Sequence, residues 1–208
     1  MKWKRKKKMK KLDYLINWGP DVKINLDFIK NETIGKATVN EFTISKYYSQ
    51  LTLLKAKRNN RLEDYIKDGI YKRLYFDGKL LMSNTQMEIN SHLEAFCRAT
   101  GTVLIAGLGL GMYLYIIKDL KDVKRIIVVE KEKDIIDLIG KYFIDDKIEI
   151  INADIFEYET DEHFDFIWID IWDSININNI KEMELLKKKF SKNSDSILCW
   201  SEDMINRK

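Results

Sequence analysis

The segment that decides the fold is Thr102–Met112, TVLIAGLGLGM. Its apolar first half leads directly into three closely spaced glycines, Gly107, Gly109 and Gly111. A strand that is apolar on both faces is typical of a parallel sheet covered by helices, and a glycine-rich turn after it lets the backbone approach a ligand closely. The next apolar segment, RIIVVE, ends at Glu130, whose carboxylate can accept hydrogen bonds from a ribose diol. Together the two segments predict a binding site for an adenosine-containing ligand.

The glycine pattern also limits the ligand. Its arrangement is G-x-G-x-G, and Met112 stands where the dinucleotide fingerprint G-x-G-x-x-G has its last glycine. That last glycine permits the close helix packing beside a pyrophosphate. The departure argues against NAD and FAD and favours a ligand without phosphate.

From Thr102 onward, apolar segments alternate with amphipathic ones. This alternation predicts an α/β protein with a Rossmann-like, doubly wound and mostly parallel sheet, shortened at its C-terminal end. We expect strands at 102–106, 125–129, 147–151, 164–170 and 195–200, and helices at 111–120, 132–143 and 179–190.

The preceding part of the chain has a different, shorter period and predicts a small β-rich region. Asp77-Gly78 is a type I′ turn signal inside the hairpin IYKRLYFDGKLLM. The other expected elements are a strand at 36–44, a serine-capped helix at 45–57 and a helix at 88–99. We therefore divide the chain into a basic tail at 1–11, a small α+β region at 12–90 and a nucleoside-binding domain at 91–208.

The composition is typical of a folded protein, except that the N-terminal segment is strongly basic. The 208 residues are 45% hydrophobic and 12% aromatic, which suffices for a packed core, and the net charge is only +3. Eight of the ten residues in Lys2–Lys11 are nevertheless Lys or Arg. We expect this tail to be solvated, with contact to phosphate or nucleic acid as the alternative.

Other features indicate the compartment. Cys97 and Cys199 are far apart and lack metal-ligand spacing, which suits two ordinary thiols in a reducing cytoplasm and predicts no metal site. No apolar segment follows the charged N-terminus as in a signal peptide, and no apolar run is long enough to span a bilayer. We expect a cytoplasmic protein without membrane association.

Further acidic residues follow the later strands. Asp154 comes after the strand KIEIIN, where its carboxylate can accept the adenine amino hydrogen while the Ile155 N–H donates to the ring. Asp170 and Asp173 end the segment FDFIWIDIWD. Because the carboxyl ends of parallel strands meet at one crevice, we expect all of them near the glycine turn. Each of these features also has a purely structural explanation. The glycines can simply form the turn, Glu130 can be a surface charge, and Asp154 and Asp173 can cap the segments that follow them.

The motifs GLGLGM, VVEKE, NADIF and WIDIWDS resemble those of class I S-adenosylmethionine-dependent methyltransferases and, more closely, of the spermidine synthase branch. The resemblance runs from about Tyr71 to the C-terminus. It implies that S-adenosylmethionine or its decarboxylated form is held, without a metal, by Gly107, Leu108, Gly109, Gly111, Glu130, Lys131, Asp154, Ile155 and Asp170.

The resemblance also implies an acceptor side. Asp170 and Asp173 match the D-x-x-D at which aminopropyltransferases deprotonate and orient an amine, so both are candidate catalytic residues. The segment LYFDGKLLMSNTQMEINSHLE is similar to the acidic segment of the synthases. Candidate acceptor-binding residues are Gln86, Glu88, His92 and Trp172, although His92 can equally be a structural histidine.

Three departures weaken the case for aminopropyl transfer. Leu110 replaces the aspartate that pairs with the ammonium of decarboxylated S-adenosylmethionine, Ser174 replaces a proline, and Ser91 replaces a tyrosine. An ammonium without its counter-charge loses a hydrogen bond worth roughly 1.5–3 kcal/mol. The expected function is therefore an S-adenosylmethionine-binding methyltransferase of the spermidine synthase-like type, acting on a small-molecule or amine acceptor.

Two alternatives stay open, an aminopropyltransferase and a non-catalytic nucleoside-binding module. Methylation of nucleic-acid bases is disfavoured because DIWDS lacks the proline-proline-aromatic loop that holds a flipped base. A homodimer is a further possibility, since the shortened sheet leaves an edge that needs cover.

Overall fold

The computed structural model describes residues 24–174 and 176–202, which form two sheets. The first sheet is antiparallel, in the order β1-β2-β3-β4. Its strands are β1 (Glu32–Ile34), β2 (Ala37–Ile44), β3 (Gly69–Phe76) and β4 (Lys79–Ser83). The basic tail at 1–11 lies outside the described residues.

The hairpin between β3 and β4 forms as predicted. Asp77 has a φ of 50° and Gly78 a φ of 76°, the two positive values that a type I′ turn requires. The strand β1 was not predicted, because three residues with two exposed polar side chains carry no period. It is held by pairing with β2, where Ile34 lies opposite Ala37.

The second sheet is parallel and has five strands in the order β7-β6-β5-β8-β9. Its strands are β5 (Gly101–Ala106), β6 (Val123–Glu130), β7 (Ile148–Asn152), β8 (Phe166–Ile169) and β9 (Ile197–Cys199). The strand order reverses between β5 and β8, so the ligand crevice of such a sheet lies at their carboxyl ends. The predicted Rossmann-like α/β class is confirmed.

The helices number six in the described part of the chain. They are α1 (Lys46–Arg58), α2 (Gln86–Ser91), α3 (Leu93–Arg98), α4 (Met112–Ile117), α5 (Lys133–Ile139) and α6 (Asn179–Lys189), with 3₁₀ turns at Leu62–Asp64, Gly140–Tyr142 and Phe190–Lys192. None is long and apolar enough to cross a membrane. The helices flanking the parallel sheet are shorter than predicted, as are β8 and β9.

The single helix expected at 88–99 is two helices that meet at His92. In a continuous helix, the backbone N–H of His92 would donate to the Glu88 carbonyl. Instead it donates to Ile89 O at 3.1 Å, and the His92 ring contacts Glu88 O through Nδ1 at 2.8 Å. A side chain therefore takes the place of a backbone donor, which ends α2 at Ser91.

The hydrophobic core lies on both faces of the parallel sheet. One face packs on α6 and the 3₁₀ turn after it, with Leu104, Ile127 and Ile167 clustered with Leu186 and Phe190. The other face packs on the N-terminal region in one continuous cluster, which includes Leu26, Val39, Leu74 and Ile89 together with Val103, Ile126 and Trp168. The boundary expected at residue 90 falls inside this cluster, and the division into domains stays a prediction.

The two sheets are also joined by polar contacts. Lys36 N–H donates to Asp134 Oδ2 at 2.8 Å, which ties the β1–β2 turn to α5.

The edge strands of the parallel sheet are β7 and β9. Cover of one of them by a second subunit, contact with nucleic acid and a cytoplasmic location all stay predictions.

Candidate active site

A cavity of about 430 Å³ opens at the carboxyl ends of β5, β6 and β8. Its wall contains most of the residues that the sequence singled out: Gly107, Leu108, Gly109, Glu130, Lys131, Asp154, Ile155, Asp170, Trp172, Asp173 and Glu88. Three predicted residues lie outside the wall. Gly111 faces the Phe143 ring, Gln86 donates to Asn90 Oδ1 at 2.8 Å, and His92 lies behind Asp170.

The glycine turn is shaped by close neighbours on both sides. Gly107 has a φ of 96°, and a Cβ there would overlap the Asp170 carbonyl oxygen. A Cβ on Gly109, which has a φ of 52°, would overlap the sulfur of Met82. Only glycine fits such positions without strain. The turn is thus held between the end of β8 and the β3–β4 hairpin.

Both carboxylate oxygens of Glu130 accept backbone hydrogen bonds, one of them from the glycine turn. Oε2 accepts from Leu108 N–H and Oε1 from Glu132 N–H, each at 2.8 Å. The residue is only 7% exposed, and burial raises the pKa of its carboxyl. A carboxylate oxygen accepts more than one hydrogen bond. Glu130 can therefore hold the turn and still accept from the hydroxyls of a ligand in the cavity.

Asp154 lies in the same cavity and also acts as a cap. Its Oδ1 accepts from Phe156 N–H at 2.9 Å, and its Oδ2 lies 2.8 Å from Lys131 Nζ. The hydrogen bond from Lys131 lowers the pKa of the Asp154 carboxyl. Asp154 thus caps the following turn and also lies in the cavity wall, and its carboxylate is ionised at neutral pH.

Asp170 is bound from behind by a buried histidine. His92 Nε2 lies 2.8 Å from Asp170 Oδ2, and the His92 side chain is only 2% exposed. Because the Glu88 carbonyl can only accept, His92 Nδ1 carries a proton there. Burial alone would lower the pKa of His92, but the Asp170 carboxylate raises it above the ordinary value. The geometry is that of an imidazolium–carboxylate pair.

The His92 ring is fixed by aromatic neighbours as well. The centroid of Trp168 lies 5.5 Å away, and those of Phe96 and Tyr113 lie at 6.1 and 6.5 Å. A ring packed in this way holds the Asp170 side chain in one orientation. His92 is thus a supporting residue of the site and not part of the cavity surface.

Glu88 is the second titratable group on this side of the cavity. Burial raises the pKa of its carboxyl to about 7, against the opposing effect of His92. Its Oε1 lies 3.4 Å from Ser83 N. The cavity wall therefore contains a carboxyl that changes charge near neutral pH.

Two wall residues, Trp172 and Asp173, are bound by side chains from distant segments. Lys79, in the β3–β4 hairpin, forms an ion pair with Asp173, and its hydrogen bond lowers the pKa of the Asp173 carboxyl. Trp172 donates through Nε1 to Glu182 Oε2 at 2.7 Å. Asp173, predicted to bind an acceptor, is thus already paired with a cation of the same chain.

Several wall residues were not predicted from the sequence. They include Phe76, Leu81, Met82, Glu132, Ile135, Glu182 and Trp200. Leu110 N–H contacts Met82 Sδ at 3.1 Å, which brings the hairpin onto the glycine turn. Phe76, Leu81, Met82 and Glu132 lie inside motif segments without having been singled out, whereas Ile135, Glu182 and Trp200 lie outside every motif.

The wall is acidic and aromatic. Its described residues include one basic residue, Lys131, and seven residues with carboxyl groups, Glu88, Glu130, Glu132, Asp154, Asp170, Asp173 and Glu182. Rings are supplied by Phe76, Tyr113, Phe156, Trp168, Trp172 and Trp200. Carboxylates and aromatic faces both attract cations. Among residues 24–174 and 176–202, no group of His, Cys, Asp or Glu is arranged to hold a metal ion.

Comparison with known proteins concerns the fold. No protein-family model and no curated protein matches this chain. A DhpI–SAH complex is 16% identical over 51% of this chain and 51% of its own, with a TM-score of 0.41. Spermidine synthase from Thermotoga maritima is 22% identical over 59% of this chain and 45% of its own, with a TM-score of 0.44.

A third similar structure is the N-methyltransferase NodS from Bradyrhizobium japonicum WM9 in complex with S-adenosyl-L-homocysteine. It is 16% identical over 52% of this chain and 56% of its own, with a TM-score of 0.40. The matched part of this chain spans about half the length of each of these proteins. The chain itself has a Rossmann-like parallel sheet, preceded by an antiparallel sheet.

Proposed function

We propose that this protein is an S-adenosylmethionine-dependent transferase, and in the first place a methyltransferase of the spermidine synthase-like type. The observation that carries the proposal is the buried Glu130 carboxylate, fixed on the glycine turn in a cavity that also contains Asp154 and Asp170. Paired carboxylates at consecutive strand ends suit a ribose and an adenine amino group.

The residues present fit this cofactor. Glu130 would hold the ribose, and Asp154 with Ile155 would hold the adenine, while the glycine turn leaves room for the rest of the molecule. The acidic and aromatic wall suits the positive charge of a sulfonium. When bound, the cofactor supplies a carbon on sulfur that a nucleophile can attack.

The chain's own contribution is positioning and removal of one proton. Asp170 would orient the acceptor and take up the proton that its nucleophilic atom loses, because His92 fixes one carboxylate oxygen and leaves the other for the acceptor. Glu88, ionised in part near neutral pH, is a second proton acceptor in the same wall. In-line positioning of the two reactants contributes most of the rate in such transfers.

Aminopropyl transfer is the second candidate, and the charge of the wall favours it. The wall holds seven carboxyl groups and one lysine, and although Lys79 and His92 offset Asp173 and Asp170, a donor without its own carboxylate meets less repulsion there. The buried Leu110, which is 0% exposed, weighs on the other side because it brings no counter-charge for the ammonium of that donor.

Calorimetry with two nucleosides tests both candidates. Tighter binding of S-adenosylhomocysteine supports methyl transfer, and tighter binding of 5′-methylthioadenosine supports aminopropyl transfer. Binding of both without turnover of amines or other acceptors would support a nucleoside-binding module. If neither nucleoside binds, the proposal is wrong.

A further inference from the structure

Helix α1 (Lys46–Arg58) turns its small and polar side toward the protein. The buried residues are Ser49, Thr52 and Ala56, which are spaced by three and four positions and so share one face. Ser49 Oγ donates to Tyr65 OH at 3.2 Å, and Ile66 N–H donates to Thr52 Oγ1 at 3.2 Å. The orientation of the helix is therefore set by specific hydrogen bonds.

The opposite side of α1 carries large apolar residues in solvent. Tyr47 is 71% exposed, Leu51 36% and Leu54 64%, and their spacing places them on one face. A surface helix ordinarily does the reverse, with its apolar face toward the core. Apolar residues grouped on an exposed face indicate a surface that another body covers.

This apolar stripe is flanked by positive charge. Lys46, Lys55, Lys57 and Arg58 lie on the same helix, which contains no acidic residue. Within the described part of the chain, none of the four has an ion-pair partner. We call these four cations, together with Tyr47, Leu51 and Leu54, the α1 surface.

The chemistry of the α1 surface selects among possible occupants. A second copy related by a two-fold axis would bring this unpaired positive helix against itself. A nucleic acid would satisfy the lysines but leave the leucines in water. An anionic lipid surface satisfies both, since apolar side chains enter the headgroup region while lysines reach the phosphates from its edge.

The N-terminal segment is a second basic stretch of the sequence. Lys2–Lys11 contains eight basic residues and Trp3. Lys and Arg side chains near an anionic bilayer are attracted to its surface, and stable peripheral binding needs more than one such signal.

We propose that the α1 surface docks this protein reversibly on anionic lipid, with Tyr47, Leu51 and Leu54 in the interface and the neighbouring lysines on lipid phosphates. The inference is independent of the proposed transferase activity, because α1 contributes no residue to the cavity wall. It revises the expectation that the protein makes no contact with membranes.

Vesicle co-sedimentation of the full chain tests the proposal. We expect binding to vesicles that contain phosphatidylglycerol, little binding to pure phosphatidylcholine vesicles, and weaker binding as salt is added. Leu54→Glu should weaken binding at least about tenfold, as should the pair Lys55→Glu and Lys57→Glu. Both variants replace exposed side chains, so thermal unfolding should match that of the wild type.

Matched controls come from helix α6. Leu185 is 57% exposed there, beside acidic residues, and Leu185→Glu should leave vesicle binding unchanged. The pair Lys181→Glu and Lys188→Glu should weaken binding less than the α1 pair.

Four results would overturn the proposal. They are absence of binding to anionic vesicles, equal loss in the α6 controls, binding that depends on Lys2–Lys11 alone, and a dimer that Leu54→Glu converts to monomer. The last result would assign the α1 surface to a second copy of this chain.

Discussion

The pair of His92 and Asp170 gives the sharpest test of the site geometry. In Asp170→Ala, the buried His92 ring loses its partner, and an unsatisfied buried donor costs about 1–3 kcal/mol of unfolding free energy. In Asp170→Asn, the amide can still donate to a neutral Nε2 while Nδ1–H stays on Glu88 O. We therefore expect Asp170→Asn to cost under about 1 kcal/mol.

The same pair sets a pH dependence whose sign can be stated. The pKa of His92 is raised in the folded state above its ordinary 6.5, in spite of burial, because of Asp170. Stability from this pair is thus fully present below pH 6.5 and is lost as pH rises through the folded pKa. In Asp170→Asn, burial is unopposed by that charge, so the pKa of His92 should fall and this loss should disappear.

The assay is urea unfolding at several pH values together with NMR titration of the imidazole protons. The chain has two histidines, and the exposed His163 serves as the internal control. If both Asp170 variants lose the same stability, or if the His92 titration is the same in wild type and Asp170→Asn, the imidazolium–carboxylate pair is refuted.

Three further outcomes are expected from other contacts. Burial raises the Glu88 pKa from 4.5 to about 7, so the free energy of unfolding should fall as pH rises between those values. Urea unfolding of Glu88→Gln should no longer show that fall. If the pH profile of this variant equals that of the wild type, the Glu88 carboxyl lies in solvent. Glu130→Gln should weaken binding of S-adenosylhomocysteine in calorimetry about tenfold or more, whereas Glu184→Gln, on the exposed side of α6, should not; equal affinities would remove Glu130 from the ribose site. Gly107→Ala should lower the unfolding free energy by more than about 1 kcal/mol, since its φ is 96° and the new Cβ meets the Asp170 carbonyl; a neutral effect would show that the turn can move.

Much of the fold could be predicted because its signals are local. The run before Gly107 became β5, the segment that ends at Glu130 became β6, and Asp77-Gly78 became the expected turn. Each of these depends on neighbours within a few residues. The placement of Glu130, Asp154 and Asp170 in one cavity followed from the parallel order of the strands, in which their carboxyl ends share an edge.

The features that were missed depend on distant partners. His92 ends a helix because its ring takes a backbone carbonyl and meets Asp170, which lies 78 residues away in the chain. Met82 covers the glycine turn at Leu110, 28 residues away in the chain, and Lys79 pairs with Asp173, 94 residues away. No local pattern contains such contacts.

The sequence by itself determined the sheet, the glycine turn and the acidic residues at the strand ends, because hydrophobic period and turn chemistry act over a few residues. Only the tertiary structure decided which charged groups pair, which carboxyl titrates near neutral pH, and which side of α1 faces solvent. The physical reason is that burial and charge pairing depend on distances in space, and packing of the N-terminal region against the parallel sheet sets those distances.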